Sequence, residues 1–206
     1  AVNAMREELL GYQQQFYREA VAEAAKDPVK AYMFTAPKDP ARSFCFAELI
    51  LRQGIDVYKT STEISASGKS YPAGSTYVVP LNQRQYKLIK AMFEKRTSFK
   101  DSLFYDISGW TLPLAFGVDY EELRSAPSLG EKIKELKMPA GKRIGDKSDY
   151  AYVFESNGYF APRAMYRLLS HGVRIKVAGD PFFHPDGTRF DRGAIMIPVA
   201  GQNKTS

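Results

Sequence analysis

The sequence predicts an α/β fold in which internally duplicated strand–helix–strand–strand units form a mixed, mainly parallel sheet with flanking helices. Three observations carry this expectation. A short apolar strand, a helical pattern and a second short strand occur twice in the same order. A glycine closes each helical pattern, and an apolar run ending in proline closes each copy. A chain of 206 residues, 44% hydrophobic and 25% charged, holds one substantial core or two small lobes.

Residues 3–26 form the first helix candidate, because Met5, Leu9, Tyr12, Phe16 and Ala20 recur at steps of three or four. Asn3 is the expected cap, and Asp27-Pro28 the stop. The stripe must lie against something, either this domain or a neighbouring one. The first copy then begins at Ala31-Tyr32-Met33-Phe34, continues through a helix at about 41–53, and gives Gly54-Ile55-Asp56-Val57-Tyr58-Lys59. Turns at Gly68, Pro72 and Gly74 lead to Tyr77-Val78-Val79-Pro80-Leu81, with Gln83 close behind. The second copy runs from Ala151-Tyr152-Val153-Phe154 through a helix at about 160–171 to Gly172-Val173-Arg174-Ile175-Lys176-Val177. It turns at Pro185-Asp186-Gly187 and ends at Ile195-Met196-Ile197-Pro198-Val199, followed by Gln202. Corresponding landmarks stay about 118 to 120 residues apart, the signature of an internal duplication.

A strand–helix–strand unit of this length implies a right-handed parallel crossover. Pro80 and Pro198 place the third segment at an edge or in a hairpin, and two copies give a sheet of about six strands. Between the copies lie a helix candidate at 83–95 and the segment Tyr105-Asp106-Ile107-Ser108-Gly109-Trp110-Thr111-Leu112-Pro113-Leu114-Ala115-Phe116-Gly117. The expected organisation is an N-terminal linking helix at 1–28, a first repeat with the following helix and Trp segment at 29–117, a charged connector at 118–149, and a second repeat at 150–206.

The net charge of +6 is spread over lysines and arginines at helical spacing or interrupted by acids, including Arg84, Lys87, Lys90 and Lys95. Such a pattern reads as a solvated face, with no nucleic-acid partner expected. No apolar run reaches the ~20 residues needed to span a bilayer. The chain opens Ala-Val-Asn without initiator Met or secretory signal, and reads as a processed or excised piece. The one cysteine, Cys45, sits in Phe44-Cys45-Phe46-Ala47 and reads as a buried core thiol.

The strings AYMF…FAELILRQGIDVY…YPAGSTYVVPLNQRQYKLIKAMFE, SLFYDISGWTLPLAFGVDY and YAYVFESNGYFAPRAMYRLLSHGVRIKV…GAIMIPVAGQ resemble a region of large bacterial zinc carboxypeptidase-like proteins, downstream of a carboxypeptidase A-type catalytic domain. The resemblance covers nearly the whole chain. It implies an exported, periplasmic or secreted parent with zinc in its catalytic domain, held by a His-x-x-Glu pair and a later His with a Glu as general base. Members of this kind often continue into a glutamine-amidotransferase-like domain. Neither His171 nor His184 is followed by Glu at the third position, so none of the zinc chemistry carries over to this chain.

The expectation is therefore a non-catalytic accessory domain with no cofactor of its own. It packs against the peptidase domain of the same polypeptide and shapes access for a peptide substrate. His171 reads as a helix-end imidazole and His184 as part of a hairpin turn. A small-ligand-binding module is the alternative, with Asn157, Tyr159 and Arg163 at the strand-to-helix turn of the second copy as its polar groups. Trp110, with Tyr105 and Asp106 fixing its segment, is the candidate for interdomain packing or substrate contact. An amidotransferase-like enzyme using Cys45 is a third reading, without the turn or base a nucleophilic cysteine needs.

Overall fold

The computed structural model describes residues 3–95, 111–126 and 128–202. They divide into two compact units, Ala1–Met138 and Pro139–Ser206, each with its own main sheet.

The first unit begins with α1 (Arg6–Lys26), whose N-cap is Met5 rather than the expected Asn3 and makes no side-chain cap. Glu7 and Glu8 in the first turn complement the helix dipole instead. The helix stops where Asp27 turns extended ahead of Pro28, with φ −63° and ψ 131°. Next come β1 (Ala31–Thr35) and α2 (Pro40–Arg52). Asp39 caps α2 by accepting from the Arg42 amide, and Gly54 follows its end at φ +70°. β2 (Tyr58–Thr60) leads to a hairpin of β3 (Ile64–Ala66) and β4 (Lys69–Tyr71), whose turn residues Ser67 and Gly68 both have positive φ. β5 (Tyr77–Pro80), α3 (Tyr86–Phe93), the short α4 (Leu112–Phe116), β6 (Asp119–Leu123) and β7 (Leu129–Lys132) complete the unit.

The sheet runs β6-β1-β5-β2-β7, and every pairing in it is antiparallel. This overturns the mainly parallel α/β sheet that the sequence suggested. β1 and β2 do point the same way and are joined through α2, but they are not neighbours. β5 lies between them, antiparallel to both. The crossover spans two strand spacings, roughly 10 Å, and the third segment fills the gap instead of sitting at an edge.

Pro80 is tolerated there because a side chain replaces its missing donor. Tyr58 opposes Val78 and Lys59 opposes Tyr77, so the register carried further sets Asp56 opposite Pro80. The Thr60 amide donates to the Thr76 carbonyl, which gives Asp56 and Pro80 the same facing parity. Proline has no N–H for the Asp56 carbonyl. Gln83 supplies it: Nε2 donates to the Asp56 carbonyl at 3.1 Å and the Pro80 carbonyl at 2.6 Å, while Oε1 accepts from the Asp56 amide at 2.7 Å. A primary amide offers the donor and acceptor of a peptide group, so Gln83 continues the ladder past proline.

The second unit consists of β8 (Ala151–Phe154), α5 (Ala161–Ser170), β9 (Lys176–Val177), the hairpin β10 (Phe182–Phe183) and β11 (Arg189–Phe190), and β12 (Ile195–Pro198). Its sheet is β8-β12-β9, again antiparallel throughout, with β12 between two strands that run the same way. Gln202 repeats the amide bridge: Oε1 accepts from the Arg174 amide at 2.8 Å, and Nε2 donates to the carbonyls of Arg174 at 2.9 Å and Pro198 at 2.7 Å. The expected single sheet of about six strands is thus replaced by separate five- and three-stranded sheets. Residues 118–149, read as a charged connector, supply β6 and β7, the two edges of the first sheet.

The first core lies on the helix side of its sheet. Tyr32, Phe34, Phe46, Ile50, Val79, Ile89 and Phe93 are buried there, with Tyr32 stacked on Phe93 at 4.7 Å and Phe34 on Tyr77 at 5.1 Å. On the other side Ala31, Met33 and Val78 meet Tyr71 and Ile64 from the β3–β4 hairpin. All five residues of β1 are buried, whereas all four of β8 are half-buried.

Replacing the bridging amide tests this account. Gln83→Leu is expected to cost about 2 kcal/mol, since it strands the Asp56 amide and carbonyl. Urea unfolding followed by circular dichroism reads the loss, and an unchanged midpoint would refute the bridge.

Candidate functional site

The residues expected at the strand-to-helix turn fall where the sequence put them. Asn157 and Tyr159 lie between β8 and α5, Arg163 lies in the first turn of α5, and all three are exposed. Three contacts hold this turn in place. The Glu155 carboxylate accepts from the Asp191 amide at 3.0 Å, the Ala161 amide donates to Gly158, and the Tyr159 ring meets Phe160 edge-on at 5.2 Å. Tyr105, Asp106 and Trp110 lie outside the described residues.

Cys45 is half-buried on α2, less enclosed than the expected core thiol. His171 is the C-cap of α5, its Nδ1 at 2.7 Å from the Arg167 carbonyl. His184 sits in the β10–β11 turn with Nδ1 at 2.9 Å from Asp186 Oδ1, both side chains well exposed. The Thr188 amide, and after it His184, hold Asp186 down to about 2. Among the described residues no group of three or more His, Cys, Asp or Glu could hold a metal ion.

The polar cluster that the sequence did not reveal joins α1 to α3. Asp27 Oδ2 is 3.1 Å from the Lys90 ammonium and accepts from the Tyr86 hydroxyl at 2.8 Å, while Oδ1 accepts from the Val29 amide at 2.8 Å. Burial alone would raise the Asp27 carboxyl, but donation from Tyr86, Val29 and Lys90 outweighs it and holds the group below its ordinary value. Burial and then the bond to Asp27 push Tyr86 up to about 12. A tyrosine and a lysine four residues apart on a helix have the spacing for proton transfer. Here both are committed to one carboxylate, and Tyr86 is driven away from ionisation, which makes the cluster a lock. Lys87 adds an ion pair to Glu23 at 3.4 Å and lies over the Phe16 ring at 4.7 Å. Two lysines of the expected solvated face thus turn inward toward α1.

What the lock holds is an apolar helix face. Ala20 and Ala24 are the buried residues of α1, and α1 contacts α3. Toward its start the helix exposes Met5 (46%), Leu9 (46%), Tyr12 (70%) and Phe16 (37%), the stripe seen in the sequence. Beside it an open groove of about 610 Å³ is lined by Gln13, Gln14, Tyr17, Arg18, Val21 and Arg84, with the Arg84 guanidinium over the Tyr17 ring at 4.8 Å.

One further group departs from ordinary chemistry. Lys59 on β2 is half-buried, and burial pushes its ammonium down to about 8. The Tyr77 ring face, 3.4 Å from Nζ, offsets part of that cost.

Comparison with protein-family models, with curated proteins and with solved structures gives no match to this chain.

Two substitutions probe these groups. Asp27→Asn is expected to destabilise by about 2 kcal/mol at neutral pH, because Lys90 loses its counter-charge. The folded carboxyl lies below 3.8, so its contribution is full above that value and is lost as pH falls through the lower folded value. Acid unfolding of Asp27→Asn should lack that step. Lys59→Met is expected to stabilise by about 1 kcal/mol at pH 7. Its advantage should fade as pH rises from about 8 toward 10.5, where the native lysine sheds its proton before the unfolded one. Thermal melts across this range that showed a pH-independent difference would contradict the assignment.

Proposed function

We propose that this chain is a non-catalytic accessory domain that packs through the exposed face of α1 against a neighbouring domain. The observation that carries the reading is the pairing of an anchored helix end with an unburied apolar stripe. A helix of 21 residues is about 32 Å long. Its end is fixed by Asp27, Tyr86, Lys90 and two buried alanines, while Met5, Leu9 and Tyr12 extend along one line in water and Phe16, under the Lys87 ammonium, closes it. Contiguous apolar surface of this kind marks a contact surface rather than a solvated one.

The resemblance supplies the neighbour's chemistry. A carboxypeptidase A-type zinc peptidase domain on the same polypeptide would carry the metal and the hydrolysis, and this chain would brace it and border the entry of its peptide substrate. The same resemblance implies that the pair works in the periplasm or outside the cell. Among the described residues no helix is long and apolar enough to cross a membrane.

A direct assay separates the roles. The 206-residue chain is expected to bind a separately expressed carboxypeptidase A-type domain of that family in calorimetry, with no hydrolysis by the chain itself. The Leu9→Ser, Tyr12→Ser double variant should weaken binding at least ten-fold with an unchanged unfolding midpoint. Peptidase activity of the chain alone, or binding indifferent to the double variant, would overturn the proposal.

A further inference from the structure

The two units follow the same path but differ at one edge. In the first, β1 is paired on both sides, with β5 on one and β6 on the other. In the second, β8 pairs with β12, and among the described residues no strand pairs with its outer edge. β8 reads Ala-Tyr-Val-Phe against Ala-Tyr-Met-Phe in β1, so the two present nearly the same strand to a partner.

The backbone parity of β8 shows what is on offer. The Val199 amide donates to the Tyr150 carbonyl, so Tyr150, Tyr152 and Phe154 face β12 while Ala151 and Val153 face outward. The Ser148 hydroxyl accepts from the Ala151 amide at 3.2 Å and blunts the start of the edge. Val153 keeps its N–H and C=O directed away from β12. Its counterpart Met33 stands opposite Glu121 of β6.

From this we infer that the outer edge of β8 is a strand-addition site for an extended, acid-rich segment that also carries apolar residues, bound antiparallel as β6 binds β1. Two features of the chain select that chemistry over other occupants. β6 is Asp-Tyr-Glu-Glu-Leu, which is the chemistry that a nearly identical strand accepts in this same chain. Residues 139–206 carry ten Lys and Arg against six Asp and Glu, a positive excess that favours an acidic strand. Main-chain bonds to Val153 would give affinity, and alternate side chains would give selectivity. The half-burial of all four β8 residues fits a strand finished by an added neighbour. This inference concerns the second unit and stands whether or not α1 docks a peptidase domain.

The test uses the whole chain, labelled with ¹⁵N, and a synthetic peptide spanning residues 117–125, which carries the Asp119–Leu123 strand. Binding is expected to shift the amide signals of 151–154 and to slow exchange of the Val153 amide at least ten-fold. A peptide N-methylated at Glu121 should bind at least ten-fold more weakly, because the donor to the Val153 carbonyl is gone; this control leaves the protein untouched. Val153→Pro should lose binding similarly while the β8–β12 signals persist, since that amide is not used by β12. Absent binding, binding indifferent to N-methylation, a scrambled peptide that binds equally well, or association of the free chain through β8 would each overturn the inference.

Discussion

The architecture depends on one spacing: β1 and β2 run the same way but stand two strand positions apart. An α2 crossover of this kind ordinarily sets its strands side by side. Here the chain returns through the β3–β4 hairpin and lays β5 into the gap, so each of the three strands gains an antiparallel partner. That path ends at a proline in the middle of the sheet, which would leave the Asp56 carbonyl without a donor. The Gln83 amide closes it, and Gln202 closes the equivalent point at Arg174. The inserted strand and the bridging glutamine are thus one solution used twice, and neither is sensible without the other.

The same path yields cores of different depth because its surroundings differ. In the first unit β1 is flanked on both edges, the α2–α3 side packs on one face and the β3–β4 hairpin on the other, and its residues reach complete burial. Among the described residues of the second unit only Ala161, Ala194 and Ile195 are buried. At about 25 cal/mol per Å² of apolar burial, three side chains of which two are alanine stabilise little. The strength of the repeated unit therefore comes from what is laid around it more than from its own sequence.

Local pattern revealed the elements and concealed their adjacency. The helices at 40–52 and 161–170, their closing glycines at φ +70° and +73°, and the strands on either side were all legible, because caps and periodicity are short-range signals. Strand order is a long-range property, and a helix between two strands does not say whether a third will come between them. The proline rule pointed Pro80 toward an edge, since nothing short-range marks Gln83 as its substitute donor. The acids of 119–122 suggested a connector, yet charge is also what an edge strand carries. At the candidate site the α1 stripe was plain in the sequence. The lock is not: in the sequence Asp27 reads as a helix stop, and Lys87 and Lys90 as part of a solvated face.

That double use of Asp27 links the fold to the function we propose. A helix with an apolar stripe lowers its free energy by folding back onto any available apolar surface. Two features oppose this in α1. The extended geometry at Asp27 and the fixed ring of Pro28 set the exit angle of the chain, and the Asp27 carboxylate ties that angle to Tyr86 and Lys90 on α3. The contact surface of α1 is small, with Ala20 and Ala24 allowing close approach while gripping little. Orientation is thus set by a directional polar lock rather than by apolar adhesion. A helix held that way keeps its remaining apolar residues pointed outward, in a geometry settled before any partner arrives. Preorganisation of this kind removes ordering entropy from the cost of association, so in the proposed docking the lock would contribute without the Asp27 carboxylate touching the docked surface.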